Sequence, residues 1–185
     1  MNVYDFDHTI YDGDSSVDFW LFALCRKPYL VVFLLFQILV TVLFIFGIYS
    51  KECMKESFFV FIWHVPFDKM TARFWVRNRK KKKPWYLRQK QETDVNNSVS
   101  PEFLLEQMVC GYLGVALIVS RIDTRIVKYI GKNRFSEEKV ARLYEKYPAC
   151  IIESFYSDSY IDVPLARLAK NTFLVRKSNI TKLVE

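Results

Sequence analysis

The sequence predicts an α/β protein with a mainly parallel sheet and a helical insert near its start. Three observations carry that expectation. Short apolar strand patterns alternate with helical patterns beyond residue 92. Two pairs of carboxylates, Asp5/Asp7 and Asp158/Asp162, each directly follow a strand pattern. The residues between them that precede 92 differ in character, being aromatic, apolar and then strongly basic. The chain has 185 residues, 51% hydrophobic and 25% charged, which supports one domain with a real core. That balance excludes a disordered chain. A mean hydropathy of +0.04 also excludes a polytopic membrane protein.

The elements follow in order. Asn2–Phe6 is a short strand candidate, and Asp7–Asp14, which holds Gly13, is a loop. Val17–Leu24 is helical and aromatic. Tyr29–Ile48 is free of charge over twenty residues, a helix of roughly 30 Å at about 1.5 Å per residue. Ser57–Pro66 is apolar but only ten residues long, and Arg73–Lys90 carries nine basic residues and no acid. Ser100, Pro101 and Glu102 read as an N-cap and first turn of a helix. Gly114–Ile122 is a buried strand that pairs with Arg125–Ile130 as a hairpin. Ser136 caps a helix over Glu137–Tyr147 that Pro148 ends. Cys150–Phe155 is a strand, Asp162–Lys170 a short helix and Thr172–Arg176 the final strand.

Carboxylates at strand ends sit where open α/β sheets bind ligands. In Asp5-Phe6-Asp7 one carboxylate can attack or bind a metal while the other works as acid and base. Asp158 and Asp162 could complete an oxygen-rich Mg²⁺ site. Two histidines, His8 and His64, are too few for a histidine-based centre, and Cys25, Cys53, Cys110 and Cys150 lack metal-ligand spacing. His8 reads as a filler of its motif and His64 as a packing residue.

Taken together, Asp5-Phe6-Asp7-His8-Thr9, Ser98, Lys139 and the Asp158/Asp162 pair resemble, in order, the four motifs of the haloacid dehalogenase (HAD) phosphatase superfamily. The resemblance is to its subfamily IB, the phosphoserine-phosphatase-like branch. It implies a Rossmann-like three-layer core over 1–14 and 92–185, with a helical cap over 15–91 between the first two motifs. It further implies that Asp5 attacks phosphorus to form an aspartyl-phosphate and that Asp7 is the acid and base. Ser98 and Lys139 would bind phosphate. Mg²⁺ would be held by Asp5, the Asp7 carbonyl and Asp158, with Asp162 direct or through a neighbour. Asp14 falls near that branch's substrate-reading acid, though it is shorter than the usual Glu; it could equally cap the next helix. Lys132 competes with Lys139, which is preferred for its place in a helix turn. Asn96-Asn97 departs from the apolar strand expected before Ser98.

The insert decides the expected partners. Asp5 and Ser98 must meet at one phosphate, so a single crossing by Tyr29–Ile48 is excluded, and Ser57–Pro66 is too short to return. A helical hairpin results, dipping into one leaflet or covering the site. Trp63, Trp75 and Trp85 read as interface anchors, and Arg73–Lys90 as a stretch that binds anionic lipid. Without the nine basic residues of that stretch the chain holds 18 basic against 20 acidic residues, a net of −2 in place of +7. The expectation is a Mg²⁺-dependent phosphomonoesterase on the cytoplasmic face of a membrane, touching it through 29–90, with no nucleic-acid partner. Its substrate would be a lipid-borne phosphate such as phosphatidylglycerophosphate. A soluble phosphatase for a small metabolite such as phosphoserine, and an idle membrane-bound interaction protein, are the alternatives. No motif sets an oligomeric state.

Overall fold

The computed structural model describes residues 1–130 and 135–183. Lys132 and the side chain of Ser136, the expected cap, lie outside the described residues. Seven strands form one sheet: β1 (Asn2–Tyr4), β2 (Val95–Pro101), β3 (Ala116–Asp123), β4 (Lys128–Ile130), β5 (Ile152–Ser157), β6 (Ala169–Arg176) and β7 (Asn179–Leu183). Their order is β4-β3-β2-β1-β5-β6-β7. The five inner strands run parallel, and β4 and β7 close the edges antiparallel. The chain builds outward from β1 to β3, then returns to place β5 on the other side of β1. The gap beyond the ends of β1 and β5 is therefore the switch point where such sheets bind ligands.

Alternation along the strands divides the core. Val3, Val95, Ile118, Ile152 and Phe155 face α7 (Phe135–Lys146) and α8 (Val163–Ala166) through Leu143 and Leu165. Tyr4, Phe6 and Val119 face the opposite layer, where α6 (Glu102–Glu106) meets the insert. The insert comprises α1 (Ser15–Arg26), α2 (Val31–Ile45), α3 (Lys51–Phe59), α4 (Phe67–Asn78) and α5 (Pro84–Gln89), with 3₁₀ turns at Pro28–Leu30, Val60–His64 and Arg79–Lys81. Its aromatics account for much of this layer. Phe74 meets Phe19, Phe22 and Trp75, and Phe103 meets Phe19, Phe59 and Phe67, mostly edge to face.

Several sequence expectations are corrected. The expected twenty-residue helix runs over Pro28–Ile45 with a 3₁₀ first turn, and Gly47, at φ +73°, turns the chain back toward α3. The Gln37 amide donates to the Phe58 carbonyl and joins the two arms of that hairpin. Trp75 and Trp85 are not interface anchors. Trp75 is buried and donates to the Leu104 carbonyl, while Trp85 packs on Tyr4 and Tyr156. Part of the basic run is engaged within the fold. Lys81 pairs with Asp18 at 2.7 Å, Lys82 lies over the Tyr112 ring, Lys83 donates to the His8 carbonyl and Lys90 to the Leu113 carbonyl. The helix expected over Asp162–Lys170 shrinks to α8, because β6 begins at Ala169. β7 follows the strand expected to be last.

One core residue carries an unmet cost. Asn96 lies in β2 between Tyr4 and Leu117, is 1% exposed, and neither end of its amide has a hydrogen-bond partner among the described residues. Asn96→Leu fills the same volume without burying a polar group, and should stabilise the protein by about 1–3 kcal/mol. Thermal denaturation of the two proteins checks this; a lower Tm for the variant contradicts it.

Candidate active site

β1 ends at Tyr4, two residues earlier than its apolar pattern suggests, which frees Asp5 to begin the switch-point loop. The loop winds back on itself. Ile10 and Tyr11 donate to the Phe6 carbonyl, and His8 donates to the Gly13 carbonyl. This path forces His8 to φ +56°, in the left-handed region. The loop is tied to the insert by Asp12 N–H on the Lys81 carbonyl and Lys83 N–H on the Ile10 carbonyl, both 2.8 Å.

The expected site residues fall into three neighbouring groups. In the first, the Lys139 ammonium lies 3.2 Å from Asp5 Oδ2 and 2.9 Å from Asp162 Oδ2. Ser157 Oγ also donates to Asp162 at 2.8 Å, and Phe6 N–H donates to Asp5 Oδ1. In the second, Asp7 Oδ2 accepts from the Ser100 hydroxyl and Asp7 Oδ1 accepts from Ser15 N–H at 2.7 Å. Ser100 therefore does not cap α6; the carboxylate takes its hydroxyl, and Pro101 stands at the cap position. In the third, Asp158 borders a cavity of about 240 Å³ with His8, Asp12 and Lys83.

Two expected residues make local contacts. Ser98 Oγ accepts from Ser100 N–H across the irregular end of β2. Asp14 caps α1 by accepting from the Ser16 and Val17 N–H groups, each at 2.9 Å. Asp14 also stands at the rim of a mainly apolar cavity of about 280 Å³ that runs from Asp7 and Ser100 to Phe58 and Phe59 of α3. Sequence reasoning missed Asn97, whose buried amide donates to the Lys139 carbonyl at 3.0 Å and ties β2 to α7. The departure from an apolar strand was its signal. It also missed Ser157 and Ser100, whose small polar side chains carried no motif.

Burial dominates the electrostatics. It pushes the Asp5 carboxyl up to about 7, against the opposing pull of Lys139. It pushes Asp7 up to about 6, against the Ser100 and Ser15 hydrogen bonds. Burial also raises Asp158. Burial alone would lower Lys139, but Asp5 and Asp162 hold it above the ordinary lysine value. A raised folded-state carboxyl stabilises the fold below its ordinary pKa and loses that contribution as pH rises through the folded value. Asp7 therefore contributes fully below about pH 4 and nothing above about pH 6, a swing of roughly 2–3 kcal/mol. Metal-free protein should lose more Tm between pH 4 and pH 8 than the Asp7→Asn variant does. Equal losses in the two proteins contradict this.

Charge and donor chemistry bear on a cation. Asp5, Asp7 and Asp158 are oxygen donors made costly to ionise by burial, with Lys139 the close cation on Asp5. Among the described residues no three His, Cys, Asp or Glu side chains form a ready cage. Mg²⁺ does not require one, since it keeps waters and uses one or two carboxylates plus substrate phosphate. The residues present fit that mode of binding.

No family model matches the chain, and no curated protein does either. Among solved structures it is similar to a protein of unknown function from Bordetella pertussis Tohama I, with a TM-score of 0.73 and 19% identity over 93% of this chain and 87% of that one. It is also similar to a phosphoserine phosphohydrolase-like protein from Francisella tularensis subsp. tularensis SCHU S4, with a TM-score of 0.55 and 14% identity over 93% of this chain and 86% of that one. Likeness at these identities establishes the fold: an α/β core with a mostly parallel sheet flanked by helices.

Proposed function

We propose that the protein is a phosphomonoester hydrolase working through a phospho-aspartate. The observation that carries this reading is the division of labour between two half-buried carboxylates at the switch point. Asp5 is ion-paired to Lys139, whereas Asp7 is held only by hydrogen bonds. Asp5 Oδ attacks phosphorus and the bond to the leaving oxygen breaks as Asp7 gives that oxygen its proton. Asp7, now ionised, takes a proton from water, whose oxygen attacks the phosphorus of the intermediate and releases inorganic phosphate with Asp5 restored. Lys139 offsets charge on the nucleophile and the transferring phosphoryl, while Asp162, Ser157 and Asn97 keep Lys139 in place. Asp5, the Asp7 carbonyl and Asp158 would hold Mg²⁺. The ion would supply the charge neutralisation that lets an ionised carboxylate approach a phosphate dianion.

The substrate class follows from the insert. Pro28–Ile45 has a mean hydropathy of 2.6 and only 17% of it is buried. Large apolar side chains such as Leu35, Ile38, Leu39 and Ile45 are exposed along it. The hairpin partner α3 is nine residues long and carries charge in its sequence, so the pair suits one leaflet rather than two crossings. Its Phe58 and Phe59 wall the cavity that leads to Asp7. These features support a monotopic enzyme on a membrane surface, acting on a lipid-borne phosphate such as phosphatidylglycerophosphate. Asp14, engaged as a helix cap, gives little support to a phosphoserine reader.

The test is a substrate panel with purified full-length protein. An aryl phosphate should be hydrolysed with Mg²⁺ and not after chelation. A phosphorylated lipid in mixed vesicles should be preferred over phosphoserine. Turnover that survives chelation removes the metal, and a preference for phosphoserine without vesicle binding removes the lipid reading.

A further inference from the structure

The basic run leaves a feature that turnover does not use. Lys80, Lys81, Lys82, Lys83, Arg88 and Lys177 wall a cavity of about 740 Å³ in which Asp12 is the only acid among the described residues. Two distant parts of the chain build it: the segment around α5 and the turn between β6 and β7, where Lys177 is held at φ +54°. Counter-charge is scarce. Lys81 is paired with Asp18, but Lys82 rests on the face of Tyr112, and Lys83 donates to a main-chain carbonyl with only the nearby carboxylates Asp12 and Asp158, unpaired among the described residues, to offset its charge. Lys82 and Lys83 are more than nine-tenths buried. Lys80, Arg88 and Lys177 are exposed and make no ion pair among the described residues. A concave wall of one sign focuses its field inward and concentrates the opposite ion. The smaller cavity at Asp158 shares Asp12, Lys83 and Lys177 with this one, so the two adjoin.

We propose that this basic cavity is a second anion site, which binds a phosphate-type oxyanion beside the catalytic carboxylates. The oxyanion has two sources, free inorganic phosphate or the phosphate of an anionic lipid headgroup. The site goes beyond the hydrolase reading and does not depend on it.

The test uses full-length protein and the variant Lys80→Glu/Arg88→Glu/Lys177→Glu, which changes only exposed positions. Calorimetric titration with inorganic phosphate at fixed ionic strength forms one arm. Co-sedimentation with vesicles of about 30% phosphatidylglycerol in phosphatidylcholine forms the other. At least one arm should weaken about tenfold or more in the triple variant, because the substitutions remove charge-assisted hydrogen bonds to the anion and put like charge in their place. Loss with inorganic phosphate identifies the free anion, and loss confined to vesicles identifies the headgroup. The charge-conserving variant Lys80→Arg/Arg88→Lys/Lys177→Arg should keep the binding, which separates loss of the site from misfolding. Unchanged binding in both arms overturns the proposal. Neither arm reads turnover, so a protein that hydrolyses no phosphomonoester can still show the site, and an active hydrolase can lack it.

Discussion

Asp5→Asn should lower turnover of an aryl phosphate by at least about 10³-fold, because it removes the attacking oxyanion and the intermediate it forms. The change is nearly isosteric and leaves the site's geometry standing. The amide oxygen can still accept from Phe6 N–H, and Lys139 keeps its 2.9 Å partner Asp162. The variant also removes a carboxyl whose burial opposes ionisation. Its Tm should therefore stay close to that of the parent while activity disappears. Rapid quench with ³²P-labelled substrate should trap label on the parent and none on the variant. Near-parental turnover by Asp5→Asn would dismiss the covalent route.

Lys139→Met should cost both stability and activity. The Lys139 side chain is 5% exposed and its ammonium lies between two carboxylates, so its loss leaves the buried Asp162 and the half-buried Asp5 without their cation. Breaking a buried pair in this way costs about 3–5 kcal/mol. Turnover should fall by about 10²-fold or more, since charge stabilisation of the transferring group goes with it. The double variant Lys139→Met/Asp162→Asn separates the two effects. It should regain part of the lost stability, because one stranded charge is gone, and none of the lost activity. A double variant as unstable as the single one would mean that Asp162 is not the residue that suffers when Lys139 is absent.

The parts of the fold that were legible in the sequence are those set by local pattern. Asp5 and Asp7 follow a strand, Lys139 lies on a helix, and Asp158 and Asp162 follow another strand, as their neighbours indicated. Lys139 points at Asp5, although the competing Lys132 is outside the described residues. The misreadings have a common cause: they concern groups whose partners are distant in the chain. Ser100 looked like a cap because its neighbours are Pro101 and Glu102, but its hydroxyl is turned toward Asp7, 93 residues away, and donates there. Trp75 and Trp85 looked like membrane anchors because they flank lysines, yet α6 and β1 cover them. Asn97 looked like a defect in a strand until α7 supplied the carbonyl it serves. β7 went unseen because Asn179–Leu183 is an exposed edge with no apolar alternation to announce it.

The two main-chain bonds between the catalytic loop and the Lys81–Lys83 segment also bear on timing. Many caps work as doors, whose opening sets the pace of each cycle. Here the segment that leads out of the insert is stitched to the loop that bears Asp5 and Asp7, so a swing of one would drag the other out of register. Substrate exchange should therefore pass through the apolar mouth at Phe58 and Phe59 without a large hinge motion. For the lipid phosphatase proposed above, the pace would then depend on how densely substrate is packed in the plane of the membrane. Dilution within the plane of the vesicle, at constant bulk concentration, should slow the reaction.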